Sequence, residues 1–302
     1  MDARTTSKPE RRPLRGIAAV LGIGVLVYAA AALWLYAFQA RLVYLPELPS
    51  RQVQATPADV GLAFEPVALA TGDGETLAGW FVPAPQARGT LLYLHGNGGN
   101  IGHRVDRVAV FQRLGLNTLI VDYRGYGASS GEPSEAGTYR DALAAWDHLT
   151  RVRGESPARI VVFGESLGGS IAAWLAARRP PAALVVYASF TSAPELARSL
   201  YPMFPAAWLT RFRYDTRAAL GHVAAPVLIL HSPDDEIVPF SHGEALFAAA
   251  RGPKKLVELR GGHLDADVLG RAIYVREIGA FLQRVLDGAD GGAQVSTARR
   301  GG

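Results

Sequence analysis

The sequence has no cysteine among its 302 residues. This absence excludes disulfide bonds, thiol catalysis and cysteine-ligated metal sites. The sequence also has no internal repeat and no basic face. Residues 1–15 carry a net charge of +3 and the residues from Gly288 onward carry +1, which together account for the whole net charge of +4. The rest of the chain is about neutral, so we expect no nucleic-acid partner.

Charge is also missing from one long stretch. Residues 16–40 read GIAAVLGIGVLVYAAAALWLYAFQA, which is 25 residues without a charged side chain. As a helix this stretch would be about 37 Å long, enough to cross a bilayer with some tilt. Five basic residues precede it and only two lie in the 15 residues that follow. The sequence therefore predicts a single transmembrane anchor, with residues 1–15 as a cytoplasmic basic tail and the bulk of the chain across the membrane.

Two other interpretations of residues 16–40 stay open. The stretch is also compatible with a cleaved signal peptide, because Ala37-Phe38-Gln39-Ala40 resembles a cleavage site, although the apolar region is long for one. It is also compatible with a buried core helix, which its position beside a basic tail argues against. The Ala-, Arg- and Gly-rich composition favours a bacterial source. An anchored chain would then lie at the periplasmic face of the inner membrane.

The remaining chain alternates between strand and helix patterns. Residues 41–62, with three prolines, are predicted to form a linker, and residues 288–302 a disordered tail. Between them, residues 63–287 begin with an antiparallel hairpin and continue as an α/β domain with a mostly parallel, doubly wound sheet. We predict strands at Val67–Ala70, Leu77–Val82, Thr90–Leu94, Asn117–Asp122, Ile160–Phe163, Ala183–Tyr187, Val227–His231 and Lys255–Leu259, and helices near Val105–Leu114, Ala136–Arg151, Leu167–Arg178, Ser241–Arg251 and Asp267–Leu286.

A serine lies at one of the predicted strand-to-helix turns. The stretch Gly164-Glu165-Ser166-Leu167-Gly168 fits the pattern G-x-S-x-G and directly follows a β-branched run. Such a turn lifts the serine hydroxyl above the sheet, and side chains two residues to either side would collide, so both positions need glycine. A helix-capping serine is the alternative, which explains Ser166 but not the paired glycines. The pattern therefore predicts that Ser166 is a nucleophile.

A nucleophilic serine of this kind needs a base and an acid, which follow it in the order acid, then histidine, on loops after late strands. His263 follows the last predicted strand through two glycines and is the candidate base. His242 lies at the start of a helix, with no strand to bring it back to the site. The candidate acid is Asp235, because it meets the pattern D-x-x-V-P, whereas the adjacent Asp234 is predicted to cap the turn.

The loop after the third strand, with the sequence HGNGGNIG, is the expected source of an oxyanion donor. We predict an oxyanion hole formed by the backbone N–H groups of Asn97 and Leu167, with His95 holding the loop. The same loop has a competing interpretation. Its spaced glycines, with Asp122 at the end of the next strand, resemble a dinucleotide-binding fingerprint, although that fingerprint usually opens the first βαβ unit of a domain.

Taken together, the Ser166 turn, the HGNGGN loop, DYRGYGASSGEPSE and HSPDDEIVP resemble the α/β-hydrolase superfamily. Within it the chain is most similar to membrane-anchored α/β-hydrolase-domain proteins of the fungal bud-emergence and mammalian depalmitoylase groups. The similarity covers about Phe38 to Leu286 and includes FQARLVYLP after the apolar stretch. The resemblance implies an α/β-hydrolase fold and serine hydrolysis of esters or thioesters, including lipid-linked ones, without a metal or cofactor. The depalmitoylases attach through amino-terminal cysteines, and this chain has none, which weakens the case for a depalmitoylase role.

The stretch of about residues 190–222 is predicted to be a short lid. It is rich in aromatic residues interleaved with arginines, and ordinary packing onto the domain is the simplest explanation. The alternative is that Tyr201, Phe204 and Trp208 bind the acyl part of a substrate or touch the bilayer. A different class of protein also stays open, namely a hydrolase-like module that binds without catalysis.

Overall fold

The computed structural model of the protein describes residues 12–269 and 271–288. The predicted basic tail and disordered tail lie mostly outside these residues. The described chain forms two compact units, one ending at Gln39 and the other beginning at Ala40. The first unit is essentially one helix, α1, which spans Arg12–Ala37.

Helix α1 matches the predicted apolar stretch. The part from Gly16 to Ala37 has a mean hydropathy of 2.3, and its most apolar 18 residues are not buried. By length and composition it can cross a membrane, and a signal sequence would pass the same test. A helix with apolar side chains exposed all round does not have the buried face that a core helix would show.

The second unit is built on one eight-stranded sheet with the strand order β1-β2-β4-β3-β5-β6-β7-β8. Strand β2 pairs antiparallel with both β1 and β4, and all other pairs are parallel. This confirms the predicted mostly parallel sheet with an amino-terminal hairpin. The strands are β1 Glu65–Ala70, β2 Thr76–Val82, β3 Gly89–Leu94, β4 Leu116–Val121, β5 Ile160–Glu165, β6 Ala183–Tyr187, β7 Val227–His231 and β8 Lys254–Glu258.

Helices precede the sheet, connect its parallel strands and follow its last strand. Within the described residues they are α2 Gln39–Val43, α3 Val105–Arg113, α4 Glu135–Asp147, α5 Leu167–Ala176, α6 Ala193–Leu200, α7 Ala206–Leu209, α8 Thr216–Leu220, α9 Phe240–Ala249, α10 Ala266–Leu269 and α11 Arg271–Leu282. The predicted lid corresponds to α6, α7 and α8, which lie between β6 and β7. The predicted helix at Asp267–Leu286 corresponds to two shorter helices and a wider final turn.

The sheet separates two hydrophobic cores. In β3, Leu92 and Leu94 face one core while Leu91 and Tyr93 face the other. Successive strand residues point to opposite faces, so a strand apolar at every position is buried on both sides, as expected for parallel strands covered by helices. Helices α4, α5, α8 and α9 contribute to the first core, and α3 and α11 to the second.

The topology brings several loops to one edge of the sheet. Strand β3 is next to β5, with Leu94 opposite Gly164 at their carboxyl ends. Strands β6, β7 and β8 follow in order on the other side of β5. The carboxyl ends of parallel strands meet at one edge, where ligands bind in this type of sheet. The loops that carry Asn97, Ser166, Asp235 and His263 therefore open at the same edge.

The segment predicted to be a linker, residues 41–62, lies within the second unit. Tyr44 is 4% exposed and belongs to the first hydrophobic core, and its hydroxyl hydrogen-bonds the Tyr214 hydroxyl at 2.7 Å. The segment that contains these prolines has little regular secondary structure, but it packs against the domain.

Candidate active site

Ser166 lies on a strained backbone turn between β5 and α5. It is one of the few non-glycine residues with a positive φ, at 52°. A Cβ atom added to Gly164 would lie 2.3 Å from the carbonyl oxygen of Gly168, and one added to Gly168 would lie 2.1 Å from the carbonyl oxygen of Leu94. Strain of this kind persists only where the surroundings enforce it, and it is concentrated at functional sites. The turn leaves the half-buried Ser166 side chain at the sheet edge.

Ser166, His263 and Asp235 are joined by hydrogen bonds. His263 Nδ1 lies 2.8 Å from Asp235 Oδ2, and His263 Nε2 lies 3.1 Å from Ser166 Oγ. A carboxylate can only accept, so Nδ1 carries the proton and Nε2 is free to accept the proton of the serine hydroxyl. The structure thus brings together a hydroxyl, an imidazole and a carboxylate from three distant parts of the chain.

Asp235 is held as an ionised acceptor. Its Oδ1 accepts hydrogen bonds from the backbone N–H groups of Ile237 and Val238, at 3.0 and 2.7 Å. Burial alone would raise the pKa of this carboxyl, but the hydrogen bond from His263 and these backbone bonds outweigh it, so its pKa lies below the ordinary value. The adjacent Asp234 is exposed and faces the backbone N–H of Gly261 at 3.5 Å.

Two residues that the sequence analysis missed support this arrangement. Glu236 Oε2 accepts a hydrogen bond from the backbone N–H of His263 at 3.0 Å, which fixes the loop that carries the imidazole. His231 is fully buried at the end of β7, donates from Nε2 to the carbonyl of Val238 at 2.8 Å, and lies 3.5 Å from Asp235 Oδ2. Neither residue type has a recognisable signature at these positions, so the sequence did not indicate them.

The loop after β3 lies against the Ser166 turn. A Cβ atom on Gly96 would lie 3.6 Å from the Cβ of Ser166. His95 Nδ1 donates to the carbonyl of Gly96 at 2.7 Å, which fixes the peptide plane that also contains the N–H of Asn97. Leu167 is the first residue of α5. Among the described residues, neither the N–H of Asn97 nor that of Leu167 donates a hydrogen bond, so both are available to a ligand.

A buried ion pair lies beneath the turn, at the residue before Ser166. Glu165 accepts a hydrogen bond from the Tyr93 hydroxyl at 2.6 Å, and its Oε2 lies 3.1 Å from Arg107 Nη1 and 3.3 Å from Arg104 Nε. Burial alone would raise the pKa of Glu165, but the two guanidinium groups and the tyrosine hydroxyl outweigh it and lower that pKa to about 2. The carboxylate therefore ties α3 and the residue before α3 to the Ser166 turn.

Other predicted residues are placed differently. Tyr201 and Phe204 are half-buried and Trp208 is 92% exposed, and the structure does not bring any of them into hydrogen-bond contact with Ser166. His242 hydrogen-bonds Thr191 rather than the site. Asp122, the acidic residue of the nucleotide interpretation, is fully buried and accepts from the backbone N–H of Ile101 at 3.0 Å, so it is not accessible to a ribose.

The sheet, the Ser166 turn and the loops around it define a hydrolase of the α/β class. The chain belongs to the α/β-hydrolase family. The family described as serine aminopeptidase, S33, matches residues 85–219. Alpha/beta hydrolase domain-containing protein WAV2 of Arabidopsis thaliana is 38% identical over 289 residues, covering 87% of this chain and 93% of WAV2. Protein bem46 of Schizosaccharomyces pombe is 35% identical over 247 residues, covering 78% and 82%.

Solved structures share the fold. The esterase Pf2001 of Pyrococcus furiosus aligns with a TM-score of 0.68 over 77% of this chain and 95% of its own, at 19% sequence identity. At this identity the likeness shows the fold alone. These comparisons confirm the predicted family and fold.

We predict that Glu165→Gln destabilises the protein by about 3–5 kcal/mol, because it leaves two largely covered guanidinium groups, with side chains 12% and 14% exposed, without a charged partner. The lowered pKa of Glu165 means that its contribution is present above about pH 4.3 and is lost as the pH falls towards 2. Denaturant unfolding at pH 7 and at acid pH measures both effects. Glu65→Gln, which removes an exposed partner of Arg153, is the control and should change stability by less than about 1 kcal/mol. Equal losses in the two variants would contradict the assignment.

Proposed function

We propose that the protein is a serine hydrolase that cleaves carboxylic ester or thioester bonds through an acyl-enzyme on Ser166. The observation that carries the proposal is the continuous pair of hydrogen bonds from Asp235 through His263 to Ser166. Membership of the α/β-hydrolase family and the fold shared with an esterase support the reaction class. The substrate is a small-molecule or lipid-like acyl compound.

The proposed reaction has two halves. Ser166 Oγ attacks the acyl carbon while His263 Nε2 takes its proton, and the resulting imidazolium is stabilised by Asp235. His263 then protonates the leaving alcohol or thiol as its bond to the acyl carbon breaks. In the second half, His263 takes a proton from water, the hydroxide attacks the acyl carbon, and the proton returns to Ser166 as the acid leaves. Each step uses groups of the chain and water only.

The negative charge that develops on the acyl oxygen is assigned to the N–H groups of Asn97 and Leu167. Two fixed donors of this kind are effective because they need no reorientation during the reaction, and removal of one typically costs about 10²- to 10³-fold in kcat. The N-terminal end of α5 adds a favourable dipole at the same position.

A non-catalytic binding module is the second candidate function, since the fold alone would serve it. The backbone of Ser166 favours catalysis over binding alone, because a binding module has no need for a strained backbone at a half-buried hydroxyl. Turnover of an acyl ester that depends on Ser166 separates the two candidates.

We predict that Ser166→Ala lowers kcat for a short-chain p-nitrophenyl ester on the order of 10⁶-fold, or to the background rate, because the nucleophile is lost. Ser170→Ala is the matched control. Ser170 lies in the same helix and its Oγ has no hydrogen-bond partner among the described residues, so kcat should stay unchanged. Full activity of Ser166→Ala would contradict the proposal.

We further propose that Tyr201, Phe204 and Trp208, on and beside α7, contact the acyl chain of the substrate. The support is the exposure of apolar side chains in this stretch, where Leu200 is 44%, Met203 is 82% and Trp208 is 92% exposed. Covering exposed apolar surface of this kind with an acyl chain or a lipid surface is favourable, because it removes that surface from water.

If these side chains bind the acyl group, kcat/KM should rise by about two- to fourfold for each CH₂ added to the first few carbons of the ester. Trp208→Ala should flatten this rise. Val152→Ala is the control, because Val152 is also exposed, at 73%, but lies in the turn that follows α4. A series of acyl esters from acetyl to octanoyl gives the measurement, and no gain beyond acetyl would contradict the assignment.

The apolar helix α1 is proposed to anchor the chain in a membrane, with the amino terminus cytoplasmic and the hydrolase domain on the other side. Its length, its exposed apolar surface and the basic residues that precede it support the proposal. We expect the full-length protein to stay in the membrane pellet after an alkaline wash and to keep its residues before Ala40. A soluble protein that begins near residue 41 would show cleavage as a signal peptide instead.

A further inference from the structure

One segment, Val43–Gln52, runs alongside the loop that carries the proposed oxyanion donor. It begins at the end of α2, only six residues after α1 ends at Ala37. The sequence analysis assigned residues 41–62 to a linker, although FQARLVYLP, which overlaps the start of this segment, is part of the family resemblance. In the structure its backbone makes a parallel bridge with the loop, between Leu45 and Gly98.

Backbone hydrogen bonds join the two stretches in both directions. The N–H of Leu45 donates to the carbonyl of Asn97 at 3.0 Å, and the N–H of Gly99 donates to the carbonyl of Leu45 at 3.1 Å. The carbonyl of Asn97 also accepts from the Tyr126 hydroxyl at 2.9 Å. The segment therefore packs along one side of the loop, and the Tyr126 hydroxyl holds the loop from another side.

Two asparagine side chains of the loop use the segment as their acceptor. Asn97 Nδ2 donates to the carbonyl of Val43 at 3.0 Å. Asn100 is fully buried, and its Nδ2 lies 2.9 to 3.1 Å from the carbonyls of Ser50, Arg51 and Gln52. Buried amide groups need such partners, since an unsatisfied one costs about 1–3 kcal/mol. The segment thus satisfies polar groups that the loop cannot satisfy by itself.

These contacts converge on Asn97. The peptide before it is oriented by His95, which donates to the carbonyl of Gly96. The carbonyl and the side chain of Asn97 are both held by the segment, through Leu45 and Val43. With its two flanking peptides fixed from opposite sides, the residue has little freedom to reorient its N–H.

We infer that Val43–Gln52 is a positioning element of the active site, which orients the oxyanion donor of Asn97 through the loop 97–100. This inference rests on the proposed function. It extends the functional unit to the residues directly after α1, so that the catalytic part begins near Val43 instead of residue 63. Misplacement of a catalytic group by about 1 Å can cost on the order of 10²-fold in rate, so this support acts on kcat rather than on substrate binding.

The test compares point variants of the full-length protein in detergent. Asn97→Ala removes the side-chain bond to Val43 but keeps the backbone N–H. We expect kcat for a p-nitrophenyl ester to fall about tenfold, with KM within about twofold.

Asn100→Ser is the second variant, and it removes the amide donors. The serine keeps an oxygen that can accept from the Gly102 N–H, as Asn100 Oδ1 does at 2.9 Å. We expect kcat to fall at least as much as in Asn97→Ala. Affinity for phenylboronic acid, which forms a tetrahedral adduct with a nucleophilic serine, should weaken in parallel with kcat/KM.

Asn117→Ala is the matched control. Asn117 is also half-buried and accepts a hydrogen bond from the backbone N–H of Ala84 at 3.0 Å, but it lies at the amino end of β4, away from the loop. Thermal unfolding should show losses similar to those of Asn97→Ala, while kcat stays unchanged. Unchanged kcat in Asn97→Ala, or an equal loss in Asn117→Ala, would overturn the inference. Neither result would touch the proposed function, which fails only if Ser166→Ala retains activity.

Discussion

The close backbone contact between β3, β5 and α5 is the constraint on which the rest of the site depends. Gly164 and Gly168 allow the helix to leave the strand with no space for a side chain between them, and this forces Ser166 into a positive φ. The same contact brings the N-terminal end of α5 beside the loop after β3. The proposed nucleophile and both proposed oxyanion donors are therefore placed by close packing of the backbone, which leaves little room for them to shift.

Around this turn the structure uses buried polar contacts as supports. Glu165 and its arginines hold the turn from below, Glu236 holds the backbone of His263, and backbone N–H groups hold Asp235. Arg104 also donates to the carbonyl of Gly98 at 3.0 Å, so a single guanidinium contacts both the Ser166 turn and the loop after β3. Such supports hold the three hydrogen-bonded side chains in place, and the buried carboxylate of Glu165 also contributes to the stability of the fold.

The sequence was informative wherever a local pattern has one physical meaning. Apolar runs predicted the strands, and paired glycines around Ser166 predicted the turn. Chain order together with the geometry of a parallel sheet was enough to choose His263 and Asp235, which the structure brings into contact, although their catalytic roles stay a proposal. The sequence was uninformative where a contact joins residues that are distant in the chain and follow no periodic pattern. The charges of Arg104 and Glu165 would suit a solvated surface, and Val43–Gln52 has the prolines of a linker, yet both are held within the domain.

The most direct test of the central claim is to locate the reactive serine chemically. The full-length protein is treated with a fluorophosphonate, digested, and its peptides are weighed by mass spectrometry. The account predicts one phosphonyl adduct, on Ser166, formed rapidly in the native protein, strongly slowed in His263→Ala and absent after unfolding. An unlabelled native protein, or an adduct on a different residue, would contradict it.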